Sequence, residues 1–208
     1  MEIKVLNNYY TDENTYLVYD ENTKNGLVID PGYECEGIIK TVQELGVKIK
    51  YVLITHCHYD HISSLEPLRE KTGCLLVSSE NGSKNVINPD INLSLHGLGY
   101  EINAKKSDVV LKDNEEISLD SLKIKCIYTP GHTNCGACYM INNNLFTGDT
   151  LFVRSIGRHD LTTGDGNTLI NSIKTRIYTL PEETTVYPGH GGKSSVGYEK
   201  KFNMFVKG

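Results

Sequence analysis

Two hydrophobic rhythms share this chain. Short runs rich in Val, Ile, Leu and Tyr, bounded by polar and turn residues, occur at 2–6 (EIKVL), 15–20 (TYLVYD) and 26–30 (GLVID) and predict three strands. Asp30-Pro31-Gly32 ends the third. The rhythm then lengthens: Ile38, Ile39, Val42 and Leu45 fall at helical spacing, and Gly46 closes that helix. The run 49–55 (IKYVLIT) is apolar and short, which predicts a buried strand. A helix over about 63–72 and a strand through CLLVS follow. Residues 80–107 keep neither rhythm and read as a short helix and a loop. From 108 to 148 the pattern is mostly strand: DVVL, EEISL, LKIKCIYT, CYMI and LFTGD, the last two joined as a hairpin by the Asn-rich turn at 142–144. A helix over about 167–179, the strand TTVYP and a closing helix over 194–206 complete the pattern.

Strands in two batches with helices interspersed predict an α/β fold, two sheets packed together with helices outside. No internal repeat, low-complexity tract or Pro/Gly/Ser linker divides the chain, so 1–208 is expected to be a single domain. A formal net charge of −5 argues against nucleic acid as the main partner, since phosphate binding needs a basic surface. No apolar stretch approaches the ~20 residues that cross a bilayer, and MEIKVLNNYY lacks a basic segment followed by an apolar run. No membrane association and a cytoplasmic location are the expectations. The six cysteines are then expected to be reduced, most of them packed as small hydrophobes.

Histidine is spent unevenly: three of seven fall in His56–His61 (HCHYDH), directly after the strand YVLIT. Three more strands end in a similar group. His132 follows Pro130-Gly131, Asp149 follows Gly148, and His190 follows Pro188-Gly189. Strand ends are where turns aim side chains into one cleft. The set His56, His58, Asp60, His61, His132, Asp149 and His190 offers five imidazoles and two carboxylates, donors suited to Zn²⁺, Fe or Mn. Seven groups exceed what one tetrahedral ion uses. They suit two ions with Asp149 between them and an open position for chemistry.

The run H-x-H-x-D-H, with His132, Asp149 and His190 in order behind it, resembles the signature of the metallo-β-lactamase superfamily. VIDPG, TPGHT, FTGDTLF and YPGHG resemble its strand-end segments, so the likeness covers nearly the whole chain. It implies a four-layer αββα sandwich. GDTLF and SIGRHDLTTGD resemble a segment of short glyoxalase II-like hydrolases. That likeness implies a first metal on His56, His58 and His132, a second on Asp60, His61 and His190, and Asp149 bridging, with Zn²⁺ preferred. It implies hydrolysis of a small thioester or ester, with Asp60 as the catalytic residue orienting the attacking water. The helical extension that gives longer glyoxalase II enzymes much of their glutathione surface is expected to be missing. Asp149 stands where β-lactamases of this family usually place cysteine, and His58 where flavodiiron proteins usually place glutamate. Both disfavour those activities.

Persulfide dioxygenases resemble the same family and use one Fe²⁺ on two histidines and an aspartate, here matching His56, His132 and Asp149. That is the alternative function. A lactonase and a non-catalytic metal-binding scaffold rank below it. Asp30 is read either as a partner of a ligand histidine or as a turn cap. Cys135-Gly-Ala-Cys138 is read as two packed thiols, and Cys57 as pointing away from the metals. His96 and His159 are read as surface or satisfied core residues, Tyr59 as a pocket-lining candidate with solvent exposure preferred, and Arg158 and Asp160 as either pairing or touching substrate, with pairing preferred.

Overall fold

The computed structural model describes all 208 residues. Strands β1 (Glu2–Asn8), β2 (Glu13–Tyr19), β3 (Asn25–Ile29), β4 (Lys48–Leu53), β5 (Leu75–Ser79) and β6 (Val109–Leu111) form one sheet in chain order. The first three pair antiparallel and the rest parallel. Parallel neighbours need long crossovers, and these hold α1 (Cys35–Leu45), α2 (Tyr59–Ile62), α3 (Leu65–Thr72), α4 (Glu80–Asn85) and α5 (Ser94–Leu98). The second half supplies β7 (Glu116–Leu119), β8 (Leu122–Tyr128), β9 (Ala137–Ile141) and β10 (Asn144–Gly148), then a two-residue ribbon, β11 (Leu151–Phe152) with β12 (Ser155–Ile156). α6 (Gly166–Ser172), a π-helical turn (Ile173–Ile177), β13 (Thr185–Pro188), β14 (Ser194–Ser195) and α7 (Val196–Phe202) follow. The second sheet runs β14-β13-β10-β9-β8-β7.

Period-two alternation explains why these sheets stack. In β2, Tyr16 and Val18 face one way and join Leu27, Ile29, Leu53 and Val77 against Ile124, Cys126, Tyr139 and Phe146 of the other sheet. Leu17 and Tyr19 face the other way, onto Ile38 and Val42 of α1 and Leu65 and Leu68 of α3. On the far side, Leu145 and Val186 meet Leu169 of α6, Ile173 and Ile177 of the π-helical turn, and Val196 of α7. Three apolar clusters between four layers make the αββα sandwich that the family resemblance implies. Each fully buried Leu or Ile contributes about 1.5–3 kcal/mol. β2 is buried along its whole length, as a strand with packing on both faces must be.

Differences from the sequence pattern have local causes. The strand predicted to reach Thr55 ends at Leu53, because the Thr55 N–H donates to the Asp30 carboxylate and not to a neighbouring strand. Residues 80–107 hold two short helices. The helix predicted over 167–179 breaks into α6 and the π-helical turn, closed by Tyr178 N–H donating to the Ile173 carbonyl at 2.8 Å. The closing helix shrinks to 196–202. Ser194 and Ser195 pair with β13, and the Asn203 side chain accepts from the Phe205 and Val206 N–H groups, ending the helix. The β11–β12 ribbon escapes prediction, being too short to show a period.

Candidate metal centre

Four strand ends converge. β10 and β13 are parallel neighbours, so Asp149 and His190 leave the second sheet side by side. His132 leaves β8 in the same sheet, and His56 and His58 leave β4 of the first. The two sheets are stitched together here: Ala137 N–H donates to the Thr55 carbonyl at 2.9 Å, and Tyr139 Oη–H to the Ile54 carbonyl at 3.0 Å. Two glycines permit the approach. Gly148 has φ +47°, and a side chain on it would meet the Thr55 hydroxyl; one on Gly189 would meet Asp149 Oδ1 and His61 Cε1.

All seven predicted residues come together. The ligand atoms of His56, His58 and His132 lie within 4.8 Å of one another, as do those of Asp60, His61 and His190. Asp149 sits between the triads, with Oδ1 3.4 Å from His61 Nε2 and Oδ2 3.6 Å from both His132 Nε2 and His190 Nε2. Asp60 and His61 share the single turn α2, whose N-terminal neighbour is His58. A third grouping, Asp30 with His56 and His61, is equally compact. Its carboxylate is already engaged by Thr55 N–H (2.7 Å), Thr55 Oγ1–H (2.6 Å) and His61 Nδ1–H (3.1 Å). Of the two readings for Asp30, the structure favours the histidine partner.

Those bonds set tautomers. With its proton on Asp30, the Thr55 hydroxyl accepts from His56 Nδ1–H at 3.1 Å. His132 Nδ1–H donates to the Arg158 carbonyl at 2.6 Å. His56, His61 and His132 are therefore each held by Nδ1, which turns Nε2 toward the centre. His58 is reversed: its Nδ1 faces His132 Nε2 at 3.0 Å. Buried polar atoms nearly always find hydrogen bonds, yet His56 Nε2, His58 Nε2, His61 Nε2 and Asp149 Oδ1 make none, the last two meeting only as the 3.4 Å ion pair. Buried nitrogen and oxygen donors gathered this closely without hydrogen bonds fit divalent cations held among them.

Charge divides the triads. Burial and the neighbouring imidazoles push His56 well below its ordinary value, and burial and His132 push His58 down to about 3. Burial also opposes charge on His61 and His190, but Asp149 and Asp60 outweigh it, and both histidines are raised. Burial pushes the carboxyls of Asp149 and Asp60 up. The histidines win here too, His61 foremost, and hold both below their ordinary value.

The centre floors a cavity of about 550 Å³ whose walls include Tyr59, Leu93, His96, Gly97, Arg158 and Leu161. His96 is exposed, as the sequence suggests, but on this wall. Tyr59 is half-buried against Gly97, not free in solvent. His159 is exposed outside the cavity. Arg158 makes the expected bidentate pair with Asp160, at 2.8 and 3.0 Å. Cys135 and Cys138 are both buried free thiols, as read from the sequence, and the sulfur nearest Cys135 is that of Cys57, while Cys138 Sγ lies 3.2 Å from Thr129 Oγ1. Thr55 escaped sequence reasoning, although its place between Asp30 and His56 is a one-residue offset from the histidine run. Glu13, fully buried behind Gly32, also escaped, since only the tertiary fold places it there.

Comparison with known proteins agrees with this geometry. The family model of the metallo-beta-lactamase superfamily matches residues 10–190. Hydroxyacylglutathione hydrolase GloC of Haemophilus influenzae is 32% identical, covering 99% of this chain and 98% of its own. Among crystal structures, BLEG-1 B3 metallo-beta-lactamase superposes with a TM-score of 0.93 at 30% identity over 100% of both chains. ETHE1 from Myxococcus xanthus gives 0.85 at 31%, over 99% of this chain and 84% of its own. TTHA1623 in a di-iron-bound form gives 0.83 at 30%, over 99% and 100%. Fold, motif order and the clustered histidines and aspartates converge, and the chain belongs to the metallo-beta-lactamase superfamily.

Proposed function

We propose that this chain is a metal-dependent hydrolase of small thioesters or esters, of the hydroxyacylglutathione hydrolase type. The observation that carries the reading is two compact triads sharing Asp149 at the floor of one 550 Å³ cavity. His56, His58 and His132 would hold one divalent ion, and Asp60, His61 and His190 a second, with Asp149 common to both and Zn²⁺ the preferred metal. Such ions, when bound, lower the pKa of a coordinated water towards ~7 and polarise a carbonyl. The full-length likeness to a hydroxyacylglutathione hydrolase supports the substrate class.

The chain's own residues supply position and proton handling. Asp60 Oδ2 lies 3.5 Å from His190 Nε2 at the cavity floor, where its carboxylate can orient the attacking water and accept a proton from it. Asp30 fixes His61 directly and His56 through Thr55, so neither ring reorients as charge develops. A thiolate leaves without help from a strong acid, so the proposed reaction asks no residue of this chain to protonate the leaving group.

One distance favours a second reading. His132 Nε2 and Asp149 Oδ2 are 3.6 Å apart, and with His56 they are the set on which a persulfide dioxygenase would hold a single Fe²⁺. The test is elemental analysis of purified protein with a panel of thioesters, lactones, a β-lactam and glutathione persulfide. Two ions per chain and thioester cleavage are expected. One iron per chain with oxygen uptake on the persulfide overturns the hydrolase reading in favour of the second.

A further inference from the structure

Cys57 lies between His56 and His58, and Cys135 three residues after His132. Their sulfurs are 3.6 Å apart and both residues are buried. No other pair among the six thiols brings sulfur to sulfur, and Cys35 is the one thiol not fully buried. We propose that Cys57 and Cys135 are a reversible disulfide site that governs whether the His56–His58–His132 triad holds its ion, an inference that rests on the metal reading of that triad.

The two segments that would be cross-linked are the two that carry the triad. A disulfide needs an S–S length of about 2.05 Å, so the sulfurs must close by roughly 1.5 Å. Neither segment is free to yield smoothly. Ser79 Oγ–H donates to the Cys135 carbonyl at 2.8 Å, Tyr59 N–H to the Asn92 carbonyl at 2.8 Å, and Ala137 N–H to the Thr55 carbonyl at 2.9 Å. Movement must then appear in the side chains and peptide planes next to His56, His58 and His132. Metal–ligand distances hold to within about 0.2 Å of their standard values, so ligand rings displaced by more than that fit the ion poorly. Closing the disulfide therefore disfavours the ion, and by reciprocity the ion disfavours the disulfide. The second triad draws no residue from the Cys135 segment and is expected to be spared.

The oxidant is hydrogen peroxide. One sulfur attacks the peroxide O–O bond, giving a sulfenic acid and releasing water. The other sulfur attacks that sulfenic sulfur, forming S–S and releasing a second water. Two thiols and one H₂O₂ become one disulfide and two waters. A dithiol reverses the step and is itself oxidised to a disulfide.

The experiment treats zinc-loaded, full-length protein with hydrogen peroxide, follows zinc release with a chromophoric chelator, and maps peptides without reduction. The expected result is a Cys57–Cys135 cross-linked peptide appearing with about one zinc released per disulfide. Free Zn²⁺ should slow it by about tenfold, and dithiothreitol with Zn²⁺ should restore the starting state. C57S and C135S should each keep their zinc under the same dose. Modification confined to Cys35, or a Cys57–Cys135 disulfide in protein that keeps all its zinc, overturns the proposal. Reduced protein that binds no zinc at the outset contradicts the metal reading instead, and the peptide map still decides whether the disulfide forms.

Discussion

The His56–His58–His132 triad and the Asp60–His61–His190 triad share Asp149 but are built on opposite electrostatic plans. The first is all imidazole. Burial and mutual repulsion keep His56 and His58 uncharged, so their lone pairs are ready before any ion arrives. The second mixes imidazole with carboxylate. There the metal-free protein stores protons on His61 and His190 as ion pairs with Asp149 and Asp60. A cation entering the first site meets His56 and His58 with little hold on a proton, and one entering the second competes with the protons that Asp149 and Asp60 favour on His61 and His190. Two sites a few ångströms apart can thus differ in affinity and in pH dependence with nearly the same donor types.

The largest break in that comparison comes from removing what the sites share. Asp149→Asn should cost both sites and lower turnover by roughly 10²–10³-fold, the range for losing one preorganised electrostatic group. Metal content and thioesterase rate measure it. Single-site changes should separate the triads: His58→Ala and His61→Ala are each expected to leave one ion per chain, in the opposite triad. Loss of both ions from either variant would show that the triads are one cooperative unit.

Acid should separate them next. Metal binding at the second triad releases protons wherever His61 and His190 are charged, so its affinity should fall as pH drops from 8 to 6, by up to about tenfold per pH unit per proton displaced. The His61→Ala protein, which keeps only the imidazole triad, should show a flatter profile. Titration by calorimetry in buffers of different ionisation enthalpy counts the protons. The sign reverses for the metal-free fold. Raised values on His61 and His190 contribute stability that is complete below the unfolded pKa of ~6.5 and is lost as pH rises through the folded values. His56 and His58, kept neutral, cost stability as pH falls below ~6.5, and for His58 the cost stops growing near about 3.

The same contrast marks what the sequence discloses. The seven clustered residues were legible because they fall in short motifs that follow four strands, and two packed sheets with helices outside were legible from the two rhythms. The unequal charge of the triads was not, since it depends on which ring faces which carboxylate across the fold. The Cys57–Cys135 contact spans 78 positions, a separation that no local spacing reports. The cavity wall from α5 was hidden because a five-residue helix, entered through Leu93 at φ +62° and left through Gly99 at φ +75°, has no period to read. Local rhythm reports elements; it does not report which side chains meet.

Two substitutions behind the metal residues refine the comparison further. Asp30→Asn should weaken metal binding by about 10–100-fold, the usual cost of losing a group that orients a ligand. Both sites should respond, the second more, because Asp30 holds His61 directly and His56 only through a hydroxyl. Thr55→Val tests that indirect arm alone. It keeps the backbone N–H that donates to Asp30 Oδ1 and removes the hydroxyl between Asp30 Oδ2 and His56 Nδ1. One lost hydrogen bond of about 1 kcal/mol corresponds to roughly fivefold in affinity, and it should fall on the imidazole triad. Thr55→Ser keeps the hydroxyl and should bind as the parent does. Equal weakening of both triads by Thr55→Val would mean that Asp30, once released from Thr55, also loosens His61, and the two sites would then be coupled through a single carboxylate beneath them.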